Sequence, residues 1–235
     1  MQFAEMFPSE LDKINIKNKY SNKKFFDYSR YLITKPWGEE FLIFQTKKIA
    51  VWLLKIHSKK STSLHCHIYK KTILVPLSGE LNVSSFLKNY KIKKKPIIIN
   101  KKTFHQTFNY SNKSKYLIEI ETPNLKNDII RFRDNYGRIR NDFKEESLNN
   151  SKINKFYLKN VKKNFYTFKK KTFKIEVNKN NIEYFSKDSK KKIFLVLKKI
   201  NKNFKVGDIF TFNKKNLGML KNSLIKKIEF LTIKN

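Results

Sequence analysis

The chain has 235 residues, and its 53 lysines and arginines against 19 aspartates and glutamates give a formal net charge of +34. With 40% hydrophobic and 14% aromatic residues, it is too apolar for a disordered basic tail and long enough for one large or two small domains. No run of about 18 uncharged apolar residues occurs, which excludes a membrane-spanning helix. The first ten residues carry Glu5 and Glu10 and have no basic-then-apolar pattern, so we expect no secretory signal, and the single cysteine excludes an internal disulfide. We therefore expect a soluble, cytoplasmic globular protein, either a monomer or a homodimer.

The positive charge does not by itself indicate a nucleic-acid-binding protein. Only five of the 53 basic residues are arginine, and the abundance of lysine, asparagine, isoleucine and phenylalanine is typical of A- and T-rich codon usage. The charge is also spread along the chain, because residues 1–143 carry 28 basic and 12 acidic residues and residues 144–235 carry 25 and 7. A selected nucleic-acid surface is more often concentrated on one face or tail. We expect only nonspecific attraction to polyanions.

Short apolar runs separated by polar clusters predict an all-β chain. Residues 1–34 have no steady periodicity and are interpreted as an N-terminal extension. From residue 35 onward the β-branched and aromatic runs recur every 8–12 residues, which is typical of an antiparallel sandwich or small barrel over residues 35–143. The runs are Phe41–Phe44, Ile49–Ile56, Thr72–Leu77, Leu81–Phe86, Ile97–Ile99, Phe104–Phe108 and Tyr116–Ile120.

The second half of the chain predicts a smaller β unit. Residues 124–140 are expected to be helical or irregular, since Pro123 precedes them and Gly137 lies near their end. The polar stretch within residues 144–155 has no apolar periodicity and is interpreted as a linker. Over residues 156–235 short β runs resume, namely Phe165–Phe168, Phe173–Val177, Ile193–Leu197, Ile209–Phe212 and Ile228–Ile233.

Three of the four histidines form a candidate metal site. His65 and His67 flank Cys66, and on a β-strand both imidazoles then point to one face while the thiol points to the other. His105, in another apolar run, is the best candidate for a third ligand, whereas His57 is expected at the exposed end of a strand. Neutral imidazole is a good ligand for zinc, iron, nickel and copper. We expect a divalent ion, such as zinc, nickel, manganese or iron, whose identity the residue types do not fix.

Other polar and aromatic residues are candidates for substrate chemistry. Glu119 and Glu121 share one face of a predicted strand. One of them could act as general base or as a replacement metal ligand if that face lines the barrel, and both would merely offset lysines if it faces solvent. Four arginines fall within ten residues, where guanidinium groups could bind a phosphate or carboxylate or could pair with nearby acids. The candidate substrate-binding residues are Arg131, Arg133, Trp52 and Lys71; Trp52 could alternatively be a packing residue. Arg138 and Arg140 complete the arginine cluster.

Several stretches resemble the cupin superfamily, in particular small sugar-associated cupins similar to phosphomannose-isomerase-type proteins. They are KPWGEEFLIF (residues 35–44), STSLHCHIYKKTILVPLSGEL (61–81), FHQTFN (104–109), IEIETP (118–123) and NDIIRFRDNYGR (127–138). His65, His67 and Gly79 match the first cupin motif, G-x5-H-x-H-x3–4-E-x6-G, and His105 and Asn109 match the end of the second, G-x5-P-x-G-x2-H-x3-N. The resemblance implies a jelly-roll barrel, with a second, degenerate cupin-like unit after residue 155.

The chain departs from both motifs. Lys59 stands at the first glycine, and Lys94, Asn100 and Lys102 replace the Gly, Pro and Gly of the second motif. Thr72 stands at the glutamate that binds metal in the family, with Lys71 beside it, so a three-histidine site is expected to bind more weakly.

The resemblance implies a metal-binding cupin that acts on a sugar phosphate or nucleotide sugar, as an isomerase or epimerase of surface-polysaccharide synthesis. Two alternatives remain open at this point. A cupin dioxygenase would hold iron at the same histidines, and a non-catalytic sugar-binding cupin would need no reactive metal.

Overall fold

The computed structural model describes residues 4–6, 10, 28, 31–77, 79–93, 95–138, 148–149, 159–162, 165–168, 171–174, 176–178, 192–196, 207–211 and 230–234. All regular structure within these ranges is β-strand, and they contain no helix long and apolar enough to span a bilayer. The chain divides into two compact units, residues 2–150 and residues 151–235, with Met1 grouped with the second. The prediction of an all-β chain is confirmed for the described residues.

The first unit is built from short and medium strands. They are β1 (Ala4–Met6), β2 (Leu32–Lys35), β3 (Gly38–Gln45), β4 (Ala50–Ile56), β5 (Leu64–Cys66), β6 (Lys71–Pro76), β7 (Leu81–Ser84), β8 (Asn89–Ile92), β9 (Ile97–Ile99), β10 (Gln106–Phe108), β11 (Lys115–Thr122), β12 (Ile130–Arg133) and β13 (Leu148–Asn149).

One wall of this unit is an eight-stranded sheet with the order β1-β9-β6-β11-β4-β3-β2-β13. Its central strands β6, β11 and β4 are antiparallel, and β4 is buried along nearly its whole length because it reads AVWLLKI, with one charged residue in seven. Strands β1 and β2, which fall in the predicted N-terminal extension, and β13, which falls in the predicted linker, all belong to this sheet.

The opposite wall consists of two smaller sheets, β10-β7-β8 and β12-β5. Isolated bridges between Ser61 and Phe108 and between His65 and His105 link the two. Leu81 and Val83 of β7 belong to the same buried cluster as Trp52 and Leu117 of the large sheet, so the walls face each other across one core. Strand β12 lies within the segment expected to be helical or irregular, where the apolar Ile130 and Phe132 alternate with arginines.

The alternation of β5 sorts its side chains between two environments. Leu64 and Cys66 are buried with Phe104 and Ile130 in a small apolar cluster. His65 lies between them in sequence, so its side chain points to the other face of the strand, toward the space between the walls. The expected burial of Cys66 on the face opposite the histidines is confirmed.

The second unit contains two further antiparallel sheets. Strands β14 (Lys159–Lys162), β15 (Phe165–Phe168) and β16 (Lys171–Lys174) form a meander. Strands β17 (Glu176–Asn178), β18 (Lys192–Val196), β19 (Ile209–Thr211) and β20 (Phe230–Lys234) form a sheet in the order β17-β20-β18-β19. Phe194 and Phe210 stack in its buried part, with ring centroids 5.4 Å apart. The cupin-like character of this unit and the exact domain boundaries stay predictions.

Candidate metal centre

Three buried histidines meet between the walls of the first unit. His65 lies on β5, His67 follows that strand directly, and His105 precedes β10. The backbones of His65 and His105 exchange two hydrogen bonds, of 3.0 and 2.7 Å, which place the two side chains next to each other. The ring centroids lie 4.4 to 5.2 Å apart, and one ring nitrogen from each histidine lies within 4.8 Å of the others. The predicted convergence of three imidazoles from two segments is present.

Backbone carbonyl groups determine the tautomer of each imidazole. Nδ1 of His65 bonds to the Ser63 carbonyl at 2.8 Å, Nδ1 of His67 to the Asp128 carbonyl at 2.5 Å, and Nδ1 of His105 to the Thr103 carbonyl at 3.1 Å. A carbonyl oxygen only accepts, so each Nδ1 carries the proton and each Nε2 keeps its lone pair. This is the arrangement in which a histidine binds a metal through Nε2 while its other nitrogen is oriented by an outer partner.

The electrostatic surroundings keep all three imidazoles neutral. Burial, together with neighbouring His105, holds the pKa of His65 well below its ordinary value. Burial and the Lys70 ammonium do the same for the pKa of His67, and burial lowers the pKa of His105 to about 4. Neutral imidazole is the form that binds metal.

The residues present fit a divalent ion. Among the described residues, Nε2 of His67 is buried and makes no hydrogen bond, and a buried polar atom without a partner is unfavourable unless something binds it. Three neutral nitrogen donors with orienting partners suit zinc, nickel or iron equally well, so they identify no particular ion. Thr72 and Lys71 are outside the cavity lining, whereas the neighbouring Lys70 lines the cavity and contributes to the lowered pKa of His67.

Two carboxylates share a cavity with the histidines. Glu119 and Glu121 both line it, as the alternation along β11 predicts. Glu121 is 2% exposed and bonded at both oxygens, accepting from Nζ of Lys70 at 2.5 Å and from Nε1 of Trp52 at 3.1 Å. Burial, and then repulsion from Glu121, raises the pKa of Glu119 to about 8. The two carboxyl groups therefore differ in their state. Glu121 is held in an ion pair, whereas Glu119 keeps its proton near neutral pH.

Further charged side chains form the wall that faces the histidines. Lys35, Glu40 and Lys126 line the cavity. Nζ of Lys126 bonds to Glu40 and lies 3.7 Å from the centroid of the Trp52 ring. Burial opposes the charge on Glu40, but Lys126 and Lys35 bring its pKa below the ordinary value.

The candidate substrate-binding residues are placed differently from one another. Arg131 pairs with His65 in the β12–β5 register and lines the cavity. A register shift between Arg131 and Arg133 breaks the alternation, and Arg133 is exposed and outside the lining. Trp52 is 1% exposed in the main core, a placement that favours packing over sugar stacking. Lys71 is half-buried and does not line the cavity.

The remaining arginines and the fourth histidine also have definite positions. Arg138 lines the cavity and is bonded twice to Asp134, by Nε at 2.9 Å and by Nη2 at 2.7 Å. Arg140 lies outside the described residues. His57 is 41% exposed and takes no part in the cluster, as its position after a strand predicts.

Sequence reasoning missed several members of the cavity. These are Lys35, Glu40, Lys70 and Lys126. Lys70 is one lysine among dozens, and only its 2% exposure distinguishes it from the solvated ones. Glu40 lies within the KPWGEEF stretch, two residues before Leu42 on β3, and this spacing on one face of the strand could have indicated an inward side chain.

Backbone geometry at the motif positions agrees with the resemblance to cupins. Lys59 and Lys102, which stand where the motifs have glycine, have φ angles of 57° and 60°, and Gly79 has a φ of 66°. These left-handed conformations favour glycine, so the backbone turns at these three motif positions are retained although lysine stands at two of them. The same barrel encloses the three motif histidines between two facing walls. The first unit therefore has the two-walled β-barrel that the resemblance to cupins implies.

Comparison with known proteins finds similar structures at low identity. No family model and no curated protein matches the sequence. KdgF from Halomonas sp. is 12% identical over 40% of this chain and 88% of its own, with a TM-score of 0.38. A cupin-superfamily sugar phosphate isomerase from Silicibacter pomeroyi is 13% identical over 40% and 69%, with a TM-score of 0.35. The capsular polysaccharide assembling protein CapF from Staphylococcus aureus is 13% identical over 44% and 34%, with a TM-score of 0.40. Because these identities and TM-scores are low, we assign functional roles in this barrel from its own side chains and not from these proteins.

Proposed function

We propose that this cupin is a metal-dependent isomerase or epimerase that acts in the cytoplasm on a sugar phosphate or nucleotide sugar, in surface-polysaccharide synthesis. One observation carries the proposal: three imidazoles with free Nε2 atoms share a cavity with a carboxyl group that keeps its proton near neutral pH. Isomerisation and epimerisation of sugars move a proton beside a polarised oxygen, and these are the two components that such a reaction needs.

His65, His67 and His105 would hold the ion. A bound divalent ion supplies Lewis-acid polarisation of a substrate carbonyl or hydroxyl oxygen. The neutral state of the imidazoles means that no proton has to leave Nε2 before binding at neutral pH.

Glu119 is the acid–base residue in this proposal. A general acid–base group works best when its pKa lies near the working pH, and burial beside Glu121 brings the pKa of Glu119 to about 8. Glu121 serves a different purpose, because its oxygens are engaged by Lys70 and Trp52. It holds its neighbours in place and supplies the negative charge that disfavours ionisation of Glu119.

Cationic side chains in the cavity favour an anionic substrate. Arg131 and Arg138 line it together with Lys35 and Lys126, and guanidinium groups bind phosphate oxygens in a bidentate manner. Arg138 is oriented by Asp134, whose pKa is lowered by that contact although burial opposes it. Because Arg138 already pairs with Asp134, Arg131 is the first candidate for a phosphate anchor.

Proton exchange with solvent tests the proposed reaction. Zinc-loaded protein is incubated in D2O with mannose 6-phosphate, fructose 6-phosphate or UDP-N-acetylglucosamine, and loss of carbon-bound proton signals is followed by NMR. We expect exchange with at least one of these compounds, and a decrease of about 100-fold or more in the Glu119→Gln variant. The matched control is Glu39→Gln, because Glu39 pairs with Lys55 at 3.0 Å and does not line the cavity.

Repeating the assay with iron-loaded protein, and measuring sugar binding, separates the two alternatives. Oxygen consumption by iron-loaded protein, without proton exchange, would favour a dioxygenase. Saturable sugar binding with neither activity would favour a non-catalytic module, an alternative supported by Thr72 at the position of the family's metal-binding glutamate. Exchange that is equal in wild type and Glu119→Gln would contradict the assigned acid–base role.

A further inference from the structure

We infer that Asp128 is the positioning residue of the histidine cluster. It lies in the loop before β12, is 4% exposed, and contacts the β5–β6 loop (residues 67–70) through both its side chain and its backbone. The β5–β6 loop carries His67 and Lys70, which face the cavity. The inference rests on the proposed metal-binding role of the three histidines and adds a residue that touches neither the ion nor the substrate.

The carboxylate of Asp128 holds the backbone of the β5–β6 loop. Its Oδ1 accepts from the N–H of Ile68 at 2.9 Å, and its Oδ2 accepts from the N–H groups of Tyr69 and Lys70, both at 2.8 Å. These residues lie between strands β5 and β6, where no sheet neighbour pairs with them. Three consecutive amides therefore depend on one carboxylate, and hydrogen bonds to an ionised acceptor are roughly twice as strong as neutral ones.

The backbone carbonyl of the same residue orients His67. Nδ1 of His67 donates to it at 2.5 Å, which leaves Nε2 of that ring directed into the cluster. This carbonyl lies in the short loop before β12. A turn in that loop is closed by the N–H of Asp128, which donates to the carbonyl oxygen of Leu125 at 3.1 Å. Since the carboxylate fixes this loop against the β5–β6 loop, it also fixes the distance between the carbonyl and the imidazole.

Asp128 also determines where Lys70 enters the cavity. The backbone of Lys70 is held by Oδ2 of Asp128, and its ammonium bonds to Glu121 at 2.5 Å. A displaced β5–β6 loop would therefore disturb both a metal ligand and the ion pair that engages Glu121. Asp128 therefore influences the positions of two cavity residues, His67 and Lys70, as well as the turn in which it lies.

The test combines the tautomer of His67 with zinc affinity. Wild type, Asp128→Ala and Asp128→Asn are compared by side-chain 15N NMR without metal at pH 7.5, and by competition for zinc with a chromophoric chelator. With four histidines in the chain, the signals can be assigned by single substitutions. We expect one Nδ1–H tautomer for His67 in wild type. In Asp128→Ala we expect mixed tautomers of His67. We also expect zinc affinity to be about 10- to 100-fold weaker, because loss of a group that orients a metal ligand typically reduces metal affinity by this factor.

Asp128→Asn keeps the test valid if the alanine variant does not fold. Its single side-chain oxygen can still accept two of the three amides, so we expect an intermediate change in both measurements. Ser85→Ala is the control, because Oγ of Ser85 likewise accepts from two consecutive amides, of Leu87 and Lys88, but in the β7–β8 turn. This control should change neither the His67 signals nor zinc affinity.

The outcomes separate this inference from the proposed function. Unchanged His67 signals and zinc affinity in a folded Asp128 variant would overturn the positioning role while leaving the metal site intact. A wild-type protein that binds no zinc, but whose His67 tautomer changes in the variants, would reject the metal function and support the positioning role.

Discussion

At the scale of single residues, two lysines occupy backbone positions better suited to glycine. Lys59 and Lys102 have φ angles of 57° and 60°, a left-handed conformation that costs a residue with a Cβ atom roughly 1–2 kcal/mol. Lys59 offsets part of this cost, because its Nζ donates to the Tyr110 carbonyl at 2.5 Å. The strain is a consequence of retaining the cupin turns without their glycines.

We predict that Lys102→Gly stabilises the protein. Removing the Cβ relieves the left-handed strain, and the greater freedom of glycine in the unfolded chain cancels part of the gain, so the net increase in unfolding free energy should be about 0.5–1 kcal/mol. Urea denaturation measures it. Lys101→Gly, at the neighbouring exposed position, is the control and should be neutral or destabilising. A loss of stability in Lys102→Gly would contradict the strain argument.

The protonated state of Glu119 makes stability depend on pH. The pKa of Glu119 is raised to about 8 by burial and Glu121, so the folded chain keeps a proton that the unfolded chain releases near pH 4.5. The stabilising contribution is complete below about pH 4.5 and is lost as the pH rises through about 8.

We predict that Glu119→Gln removes this dependence in the metal-free protein. Relative to the variant, wild type should lose on the order of 2 kcal/mol of unfolding free energy between about pH 5.5 and pH 7.5. Denaturant titrations of both proteins at several pH values provide the difference. Parallel stability curves for the two proteins would show that Glu119 is ionised throughout, which is incompatible with its assigned role.

Part of the site could be predicted from residue types, whereas its buried lysines could not, for a physical reason. The histidines and Glu119 could be identified because those residue types are scarce here and their spacing places them on one face of a strand. Lys70 could not, because a buried lysine and a solvated one look the same in a chain with so many lysines. Its burial depends on Glu121, whose ion pair forms only in the folded barrel.

At the scale of secondary structure, short apolar runs bounded by polar clusters carry most of the predictive information. Period-2 alternation separated Cys66 from His65 and His67 at the short strand β5. The pattern of apolar runs located β3, β4, β6, β7, β9, β10 and β11. It failed on β12, where two apolar side chains among arginines give a weak signal and pairing with β5 supplies the stability. It also could not foresee the register shift that separates Arg131 from Arg133.

The two faces of β5 predict that Cys66 is chemically inert. The side chain is fully buried, and burial raises the pKa of its thiol to about 12. At pH 8 the thiolate fraction is then on the order of one in ten thousand, and the thiolate is the reactive form. We expect no reaction of the folded protein with a thiol-specific chromogenic reagent over minutes, and complete reaction of one thiol per chain in guanidinium chloride. Rapid reaction under native conditions would place Cys66 at the surface.

At the scale of the whole molecule, the fold and the net charge carry different information. The charge of +34 is shared between both halves of the chain, whereas two of the cavity cations, Lys70 and Lys126, are paired with Glu121 and Glu40. The net charge therefore reflects the many solvated lysines. The residues of the candidate site are few, and the composition of the chain does not identify them. The barrel could be predicted as a whole because its apolar runs and its motif histidines agree. The second unit has short apolar runs but no histidine, so it could be predicted only as β structure.

The measurement that tests the central claim most directly is calorimetric titration of the protein with zinc at pH 7.5. We predict one zinc per chain for wild type and a loss of affinity of at least about 100-fold for His65→Ala, His67→Ala and His105→Ala. His57→Ala, which removes the half-exposed fourth histidine, should bind like wild type. Absence of saturable binding to wild type, or equal binding by the His67→Ala variant, would contradict a metal centre in this barrel.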